Sequence, residues 1–173
     1  MTECQRAQLW VIRSVITALG TNGIRAWLFG GWGLDTQIGR ITREHDDIEF
    51  WIERRAADDS QMALVRAGST VLMTQPPEEP WEFEWNGVTF STAYFDRHAD
   101  GRLTIEGRWS DWAFPTDSSG DDTGNLEGVS VPTMSIAGML AMKEQYPDLR
   151  NGRPWRPKDL LDIEALRSLL GSR

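Results

Sequence analysis

The sequence predicts an α+β fold that opens with alternating helices and strands and closes with two helices. Three observations indicate it: apolar residues recur at helical spacing near the start, short strand-like runs fill the middle, and no internal repeat divides the chain. A length of 173 residues suits one domain with its own core. We therefore expect a domain over 1–132 and a C-terminal helical segment over 133–173 packed on it.

The first half of the chain reads as helix, strand, helix, strand, helix. Thr2 and Gln5 form a possible capping box for the first helix, and Gly20 can stop it. Gly30–Gly31 ends the first strand, and Gly39 can close the second helix. The predicted elements are a helix over 3–19, a strand over 24–29, a helix over 32–38, a strand over 47–52 and a helix over 56–67.

The second half is rich in strands and then helical. Asn86–Gly87 predicts a two-residue hairpin turn, because both residues tolerate positive φ. The polar, glycine-rich stretch 115–125 predicts a mobile surface loop, Thr133 can cap the next helix, and Pro157 suits the first turn of the last one. The predicted elements are strands over 70–74, 81–85, 88–95, 102–107 and 129–131, and helices over 133–145 and 157–170.

Composition narrows the function classes. With 18 Lys and Arg against 26 Asp and Glu, the net charge is -8, which argues against a nonspecific nucleic-acid binder and favours neutral or cationic partners. The alternative is that this charge serves solubility alone. Cys4 is the single cysteine, no apolar run is long enough to span a bilayer, and Arg6 and Arg13 interrupt any signal peptide. We expect a cytoplasmic protein, a monomer or homodimer, that binds no membrane.

Two carboxylates one residue apart are the strongest chemical signal. On a strand, Asp47 and Glu49 would point the same way with Cα atoms roughly 6 to 7 Å apart, so they can hold a divalent metal between them. The Gly30–Gly31 turn upstream can bring bare backbone N–H groups against a phosphate. The alternative for the two acids is a solvated strand edge, and the alternative for the glycine pair is an ordinary turn. We expect Trp51 to share the face of the acids, and the opposite face to be buried, with Ile48, Phe50 and Ile52.

A family resemblance rests on the stretches 27–35 (WLFGGWGLD) and 39–49 (GRITREHDDIE). They resemble the signature of the polymerase-β-like nucleotidyltransferases, and most of all their small lincosamide and aminoglycoside 2''-nucleotidyltransferase branch. The resemblance implies a mixed sheet flanked by helices. It also implies Mg²⁺-dependent transfer of a nucleoside monophosphate, AMP in the first instance, from ATP or another NTP to a hydroxyl of a small molecule such as an aminoglycoside or lincosamide.

The resemblance also assigns roles to residues. Gly30 and Gly31 would lie against the triphosphate, while Asp47 and Glu49 would bind Mg²⁺ and act in catalysis. Arg43 would face the phosphates. Three further cations could neutralise the pyrophosphate: Lys143, Arg156 and Lys158. The alternative is that these side chains only form a solvated helix surface.

Two positions depart from the family pattern. Glu49 replaces the usual Asp, and the third carboxylate, expected on a later strand, is replaced by the hydroxyls of Ser91 or Thr92. Asp96 is the nearest acid that could substitute in catalysis. Glu82 or Glu84, across the hairpin, is the other possibility. Without a substitute we expect a weak or inactive protein that binds a nucleotide or ligand.

The segment 78–85 (EEPWEFEW) places acids beside large aromatic residues. This composition suits a cationic, ring-shaped ligand such as an aminosugar. The alternative is a strand with one apolar and one wet face. An acceptor on a partner protein, as in toxin–antitoxin pairs, is a further hypothesis for the reaction.

Overall fold

The computed structural model describes residues 1–73, 79–149 and 152–172. Single turns of 3-10 helix lie at Arg54–Ala56 and Gly107–Trp109. The helices and strands are α1 (Glu3–Gly20), β1 (Ala26–Phe29), α2 (Gly30–Ile38), β2 (Glu49–Glu53), α3 (Ala57–Ala67), β3 (Thr70–Met73), β4 (Trp81–Trp85), β5 (Val88–Arg97), β6 (Leu103–Thr104), β7 (Thr123–Leu126), β8 (Val129–Pro132), α4 (Ile136–Leu149) and α5 (Pro157–Gly171).

A mixed sheet organises the fold, in the order β1-β2-β5-β4-β3, with β6 paired to the end of β5. Strands β2 and β5 are parallel, and the other neighbours are antiparallel. Strands β7 and β8 form a separate hairpin beside β1, where Leu28 and Thr133 make a single bridge. The predicted α+β class with a mixed sheet is confirmed.

Both faces of β2 are covered, so the prediction that only one face of this strand is buried is wrong. Phe50 and Ile52 are fully buried in a cluster with α1 and α3. Trp51, on the opposite face, is only 1% exposed, with its ring 4.1 Å from that of Phe95 and 4.8 Å from that of Phe114. Helices α4 and α5 pack on this second face. Tertiary packing therefore buries a face that the alternation of acids and aromatics predicts to be wet.

Local sequence signals set most element ends. Both hydrogen bonds of the Thr2–Gln5 capping box are present. Gly39 is left-handed at the end of α2, and Asn86 and Gly87 both have positive φ in the β4–β5 hairpin. These local predictions are confirmed.

The segment predicted as a mobile loop over 115–125 is instead tied to the core. Ser118 and Ser119 are buried, and the N–H of Ser135 donates to the carbonyl of Ser118. The Trp27 indole donates to the carbonyl of Gly120 at 2.8 Å. The segment also runs into β7, which pairs with β8. The backbone N–H of Ser135, just before α4, and the Trp27 side chain on β1 satisfy carbonyls of this polar segment, which is why its composition is misleading.

Other boundaries differ from the predictions. The hydroxyl of Ser135, not that of Thr133, accepts from the N–H of Gly138 in the first turn of α4. Strand 102–107 shortens to β6, and β2 begins at Glu49, so Asp47 precedes the strand. Thr74 and Glu78, parts of two predicted segments, lie outside the described residues.

The C-terminal part, as far as the structure describes it, consists of the two helices α4 and α5 with a non-helical stretch over 152–156. The division into 1–132 and 133–173 stays a prediction. Among the described residues no helix is long and apolar enough to cross a bilayer.

Candidate active site

The start of α2 lies beside the start of β2. Phe29, the last residue of β1, pairs with Glu49, the first residue of β2. Gly30 follows Phe29 directly and therefore lies close to Glu49. Gly30 has a φ of +67°, and a Cβ there would collide with the Glu49 carboxylate. A Cβ on Gly31 would collide with the ring of His45. The glycine pair is therefore required both by backbone conformation and by the close approach of neighbouring side chains.

One cavity, here called the basic cavity, gathers most of the residues that the sequence singled out, but neither Gly30 nor Asp96 lines it. Its volume is about 230 Å³. The loop before β2, the start of β2, α4 and the first turn of α5 supply its walls. It is lined by Gly31, Arg43, Asp47, Glu49, Lys143, Tyr146, Arg156 and Lys158. The structure thus brings together two carboxylates and four cations from positions more than 100 residues apart in sequence.

The two carboxylates differ in environment. Asp47 is exposed, whereas Glu49 is partly buried between β1 and β5. Burial, together with the nearby charge of Asp47, raises the pKa of Glu49 to about 7. The cations of the basic cavity, led by Lys143, lower it in part. Two acids so close are poised to gain from a bound cation.

Acids on α5 hold the cations in place. Asp162 accepts from Arg43 at 2.9 Å and from Lys143 at 2.8 Å. Asp159 accepts from Arg156 at 2.7 Å and lies 3.3 Å from Lys143. Burial opposes the ionisation of Asp159, but these hydrogen bonds and charges outweigh it and hold its pKa well below the usual range. Arg43, Arg156 and Lys143 are therefore ordered by carboxylates that the sequence analysis did not single out.

His45 and Asp35 complete this support. The Nε2 atom of His45 lies 2.6 Å from Asp35, and its Nδ1 atom lies 2.8 Å from Arg43. The side chains of His45 and Asp35 are at most 1% exposed. Asp46 bonds to Lys158 at 3.0 Å. In this run Arg43 and Asp47 line the cavity, while His45 and Asp46 contact the side chains of Arg43 and Lys158 that also line it.

The position expected for a third carboxylate holds a serine. Ser91 pairs with Glu49 across β2 and β5, on the face of the acids. Thr92 points to the other face, where its hydroxyl bonds to Tyr94. Asp96 is bound to Arg54 at 2.9 Å and lines neither cavity that contains Asp47 and Glu49. The structure does not bring Asp96 to the site, because five residues along a strand place it on the opposite face.

A second cavity, here called the acidic cavity, adjoins the first and shares Asp47 and Glu49 with it. Its volume is about 270 Å³. Strands β4 and β5 form its other wall. The lining residues are Asp47, Ile48, Glu49, Glu82, Thr89, Phe90 and Ser91. Negative charge therefore faces this side of the acid pair, and positive charge faces the other side.

The aromatic residues of β4 do not reach either cavity. Trp81, Phe83 and Trp85 are buried on the α1 side, while Glu82 and Glu84 lie on the opposite face. The strand with one apolar and one wet face is therefore the correct reading of the described part of this segment. Aromatic and acidic side chains of β4 cannot hold one ligand together.

A different aromatic group borders the site. Trp109 and Trp112 stack at 5.0 Å and line an apolar recess of about 150 Å³ together with Tyr146 and Met142. Glu49 also reaches this recess. The tryptophans lie in the segment between β6 and β7, and their place beside Glu49 follows from the packing of that segment on α4. No spacing rule in the sequence predicts it.

The arrangement defines a class of protein. Paired carboxylates beside a helix start and a cluster of cations can bind a metal and a polyphosphate together. The crystal structure of ANT(2'')-Ia in complex with adenylyl-2''-tobramycin has the same fold, with a TM-score of 0.78 over 96% of this chain and 91% of that chain, at 20% identity. Lincomycin-bound LnuA, a lincosamide antibiotic adenylyltransferase, gives 0.70 over 98% of both chains, at 21% identity. The fold is that of a nucleotidyltransferase.

The chain belongs to the aminoglycoside-2''-adenylyltransferase family, whose model matches residues 11–166. A 2''-aminoglycoside nucleotidyltransferase from Escherichia coli is 38% identical over 65 residues, and one from Klebsiella pneumoniae is 32% identical over 60 residues. These matches cover 38% and 34% of this chain, and 37% and 34% of the relatives. The matches thus span about a third of the relatives' length. The resemblance to the aminoglycoside and lincosamide branch is confirmed.

Proposed function

We propose that the protein is a Mg²⁺-dependent nucleotidyltransferase that moves AMP from ATP to a hydroxyl of an aminoglycoside. One observation carries the proposal: a single cavity joins Asp47 and Glu49 to the start of α2 and to four cations. Family membership supports the reaction class and the acceptor.

The chain's own residues account for binding of the nucleotide. A triphosphate carries several negative charges, and Arg43, Lys143, Arg156 and Lys158 line the cavity that would receive it. The first N–H groups of α2 lack intrahelical partners, and Gly31 in this first turn lines the same cavity. Binding would thus place the phosphates between α2 and the C-terminal helices.

The donor set fits Mg²⁺. Asp47 and Glu49 offer carboxylate oxygens, and the pKa of Glu49 is raised first by burial and then by the charge of Asp47, both of which a bound cation would offset. Mg²⁺ commonly uses one or two carboxylates together with substrate phosphates and water. When bound, it would stabilise the charge of the entering and leaving oxygens at the α-phosphate. Asp47 and Glu49 would hold the Mg²⁺ ion in position.

Charge favours binding of the acceptor on the side of the acid pair opposite the cations. The acidic cavity lies across the acid pair from the cations, and Glu82 adds a further carboxylate to it. An aminoglycoside carries several ammonium groups, so this wall would attract it while the basic cavity takes the phosphates. A lincosamide is the alternative acceptor from the same branch.

Label transfer tests the proposal. Purified protein is incubated with Mg²⁺ and α-labelled ATP, GTP, CTP or UTP against aminoglycosides, lincosamides and cell extract. We expect labelled aminoglycoside from ATP and roughly a 10²-fold or greater loss of rate in Asp47→Ala, because one of the two carboxylates that would hold Mg²⁺ is removed. Asp58→Ala, an exposed acid on α3, is the matched control and should retain the rate. Label on a protein in the extract would instead support the partner-protein hypothesis.

A second candidate is binding without transfer, which Ser91 favours because a hydroxyl cannot replace a carboxylate as a base near neutral pH. It predicts nucleotide binding by calorimetry with no labelled product from any acceptor. Transfer that is lost in Asp47→Ala would eliminate it.

A further inference from the structure

Transfer to a hydroxyl needs a group that takes the hydroxyl proton. Such a base must lie within hydrogen-bond reach of the attacking oxygen. Asp47 and Glu49 are assigned to the cation, and Ser91 is a poor acceptor of a proton. Given the proposed function, another described carboxylate that borders the space around the acid pair could serve as this base.

The strand register places Glu82 in line with the site. Glu49 on β2 pairs with Ser91 on β5, and Ser91 pairs with Glu82 on β4. Directly paired residues point to the same face, so the three side chains form one row. Strands lie about 4.8 Å apart, which separates the Cα atoms of the two glutamates by roughly 10 Å. The short serine leaves an opening between two long carboxylate side chains.

This opening is the acidic cavity, and Glu82 forms its outer wall. The Glu82 side chain is exposed, and within the described part of the chain it makes no hydrogen bond or ion pair. Asp96, in contrast, is committed to Arg54. Glu84 points to the same face as Glu82 but lies two residues further along β4 and does not line the cavity.

The geometry points to Glu82 as the general base of the transfer, supplied by β4 in place of a carboxylate at Ser91. The acceptor oxygen forms a bond to the α-phosphorus of the NTP, and the bond from that phosphorus to its leaving oxygen breaks. Pyrophosphate departs with the electron pair of that bond. The proton of the acceptor hydroxyl passes to the Glu82 carboxylate and then to water.

The test compares Glu82→Gln with Glu84→Gln, because both remove one negative charge from the same face of the same strand. Rates are measured with labelled ATP and an aminoglycoside that the wild-type protein modifies. We expect kcat to fall about 10²-fold in Glu82→Gln, with the KM for ATP changed less than threefold, since a general base acts on the chemical step. Glu84→Gln should stay within twofold of the wild-type kcat.

A rescue variant separates a base from a general charge effect. Ser91→Asp in the Glu82→Gln background returns a carboxylate to the middle of the row, and we expect at least a tenfold recovery of kcat. A Glu82→Gln variant that melts like the wild type and keeps a third or more of its kcat overturns the assignment of Glu82, while the proposed function stands. Equal losses in Glu82→Gln and Glu84→Gln also overturn it. A wild-type protein that transfers to no acceptor overturns both proposals.

Discussion

At the scale of single residues, Glu49 links the fold to the chemistry. Its backbone lies between Phe29 on β1 and Ser91 on β5 in the strand register. Its side chain lines both the basic and the acidic cavity. Burial and the neighbouring Asp47 raise its pKa to about 7 from the ordinary 4.5. The folded protein without metal therefore keeps Glu49 mostly protonated only below about pH 7.

This preference predicts a pH-dependent stability. The folded-state pKa lies above the unfolded one, so the stabilisation from protonated Glu49 is fully present below about pH 4.5 and is lost as the pH rises through 7. In EDTA, the difference in free energy of unfolding between Glu49→Gln and the wild type should rise by about 1 to 2 kcal/mol from pH 5.5 to pH 8.5. Partial exposure of the Glu49 side chain makes this change smaller than it would be for a fully buried group. Urea unfolding at both pH values measures it. Glu84→Gln is the control, and an unchanged difference for Glu49→Gln would contradict the pKa assignment.

At the scale of elements, α5 supports the cations of α4 and of the loop before β2. Asp162 is buried and joins Arg43 to Lys143, and Asp159 joins Lys143 to Arg156. A cation held at both sides loses less entropy when a phosphate binds. Helix α5 therefore acts as a positioning element for the basic cavity.

Asp162→Asn tests this role. We expect the KM for ATP to rise about five- to tenfold with a smaller fall in kcat, because Arg43 and Lys143 lose a common charged partner. Stability should fall by about 1 to 3 kcal/mol, the usual cost of weakening a buried charged network. Steady-state kinetics and thermal melting measure the two effects. The exposed neighbour Glu164→Gln is the control on α5. A lower melting temperature with an unchanged KM would show a merely structural role.

At the scale of the whole molecule, the site is where the two parts of the chain meet. Gly31, Arg43, Asp47 and Glu49 come from the first 50 residues, and Lys143, Arg156 and Lys158 come from the last two helices. A ligand in the basic cavity would touch both parts at once. Cytoplasmic location and a monomeric or homodimeric state stay predictions.

Bound nucleotide should therefore stabilise the entire fold. At a concentration about 100 times its Kd, a ligand specific for the folded state adds about 2.7 kcal/mol, or roughly 5 to 10 °C in Tm for a chain of this size. We expect this shift from a nonhydrolysable ATP analogue with Mg²⁺, measured by scanning calorimetry, and a clearly smaller one with EDTA. Asp47→Ala should show little dependence on Mg²⁺. An equal shift with and without Mg²⁺ in the wild type would argue against metal-assisted binding.

The sequence by itself determined the class of fold, most element ends and the pair of acids after a glycine turn. These features depend on alternation, capping and positive φ, which act over a few residues. Only the tertiary structure decided that Asp159 and Asp162 support the cations, that Asp96 belongs to Arg54, and that Glu82 faces Ser91. Such relations depend on strand register and helix packing between distant segments, because two side chains far apart in sequence become neighbours only when the sheet and its covering helices are in place.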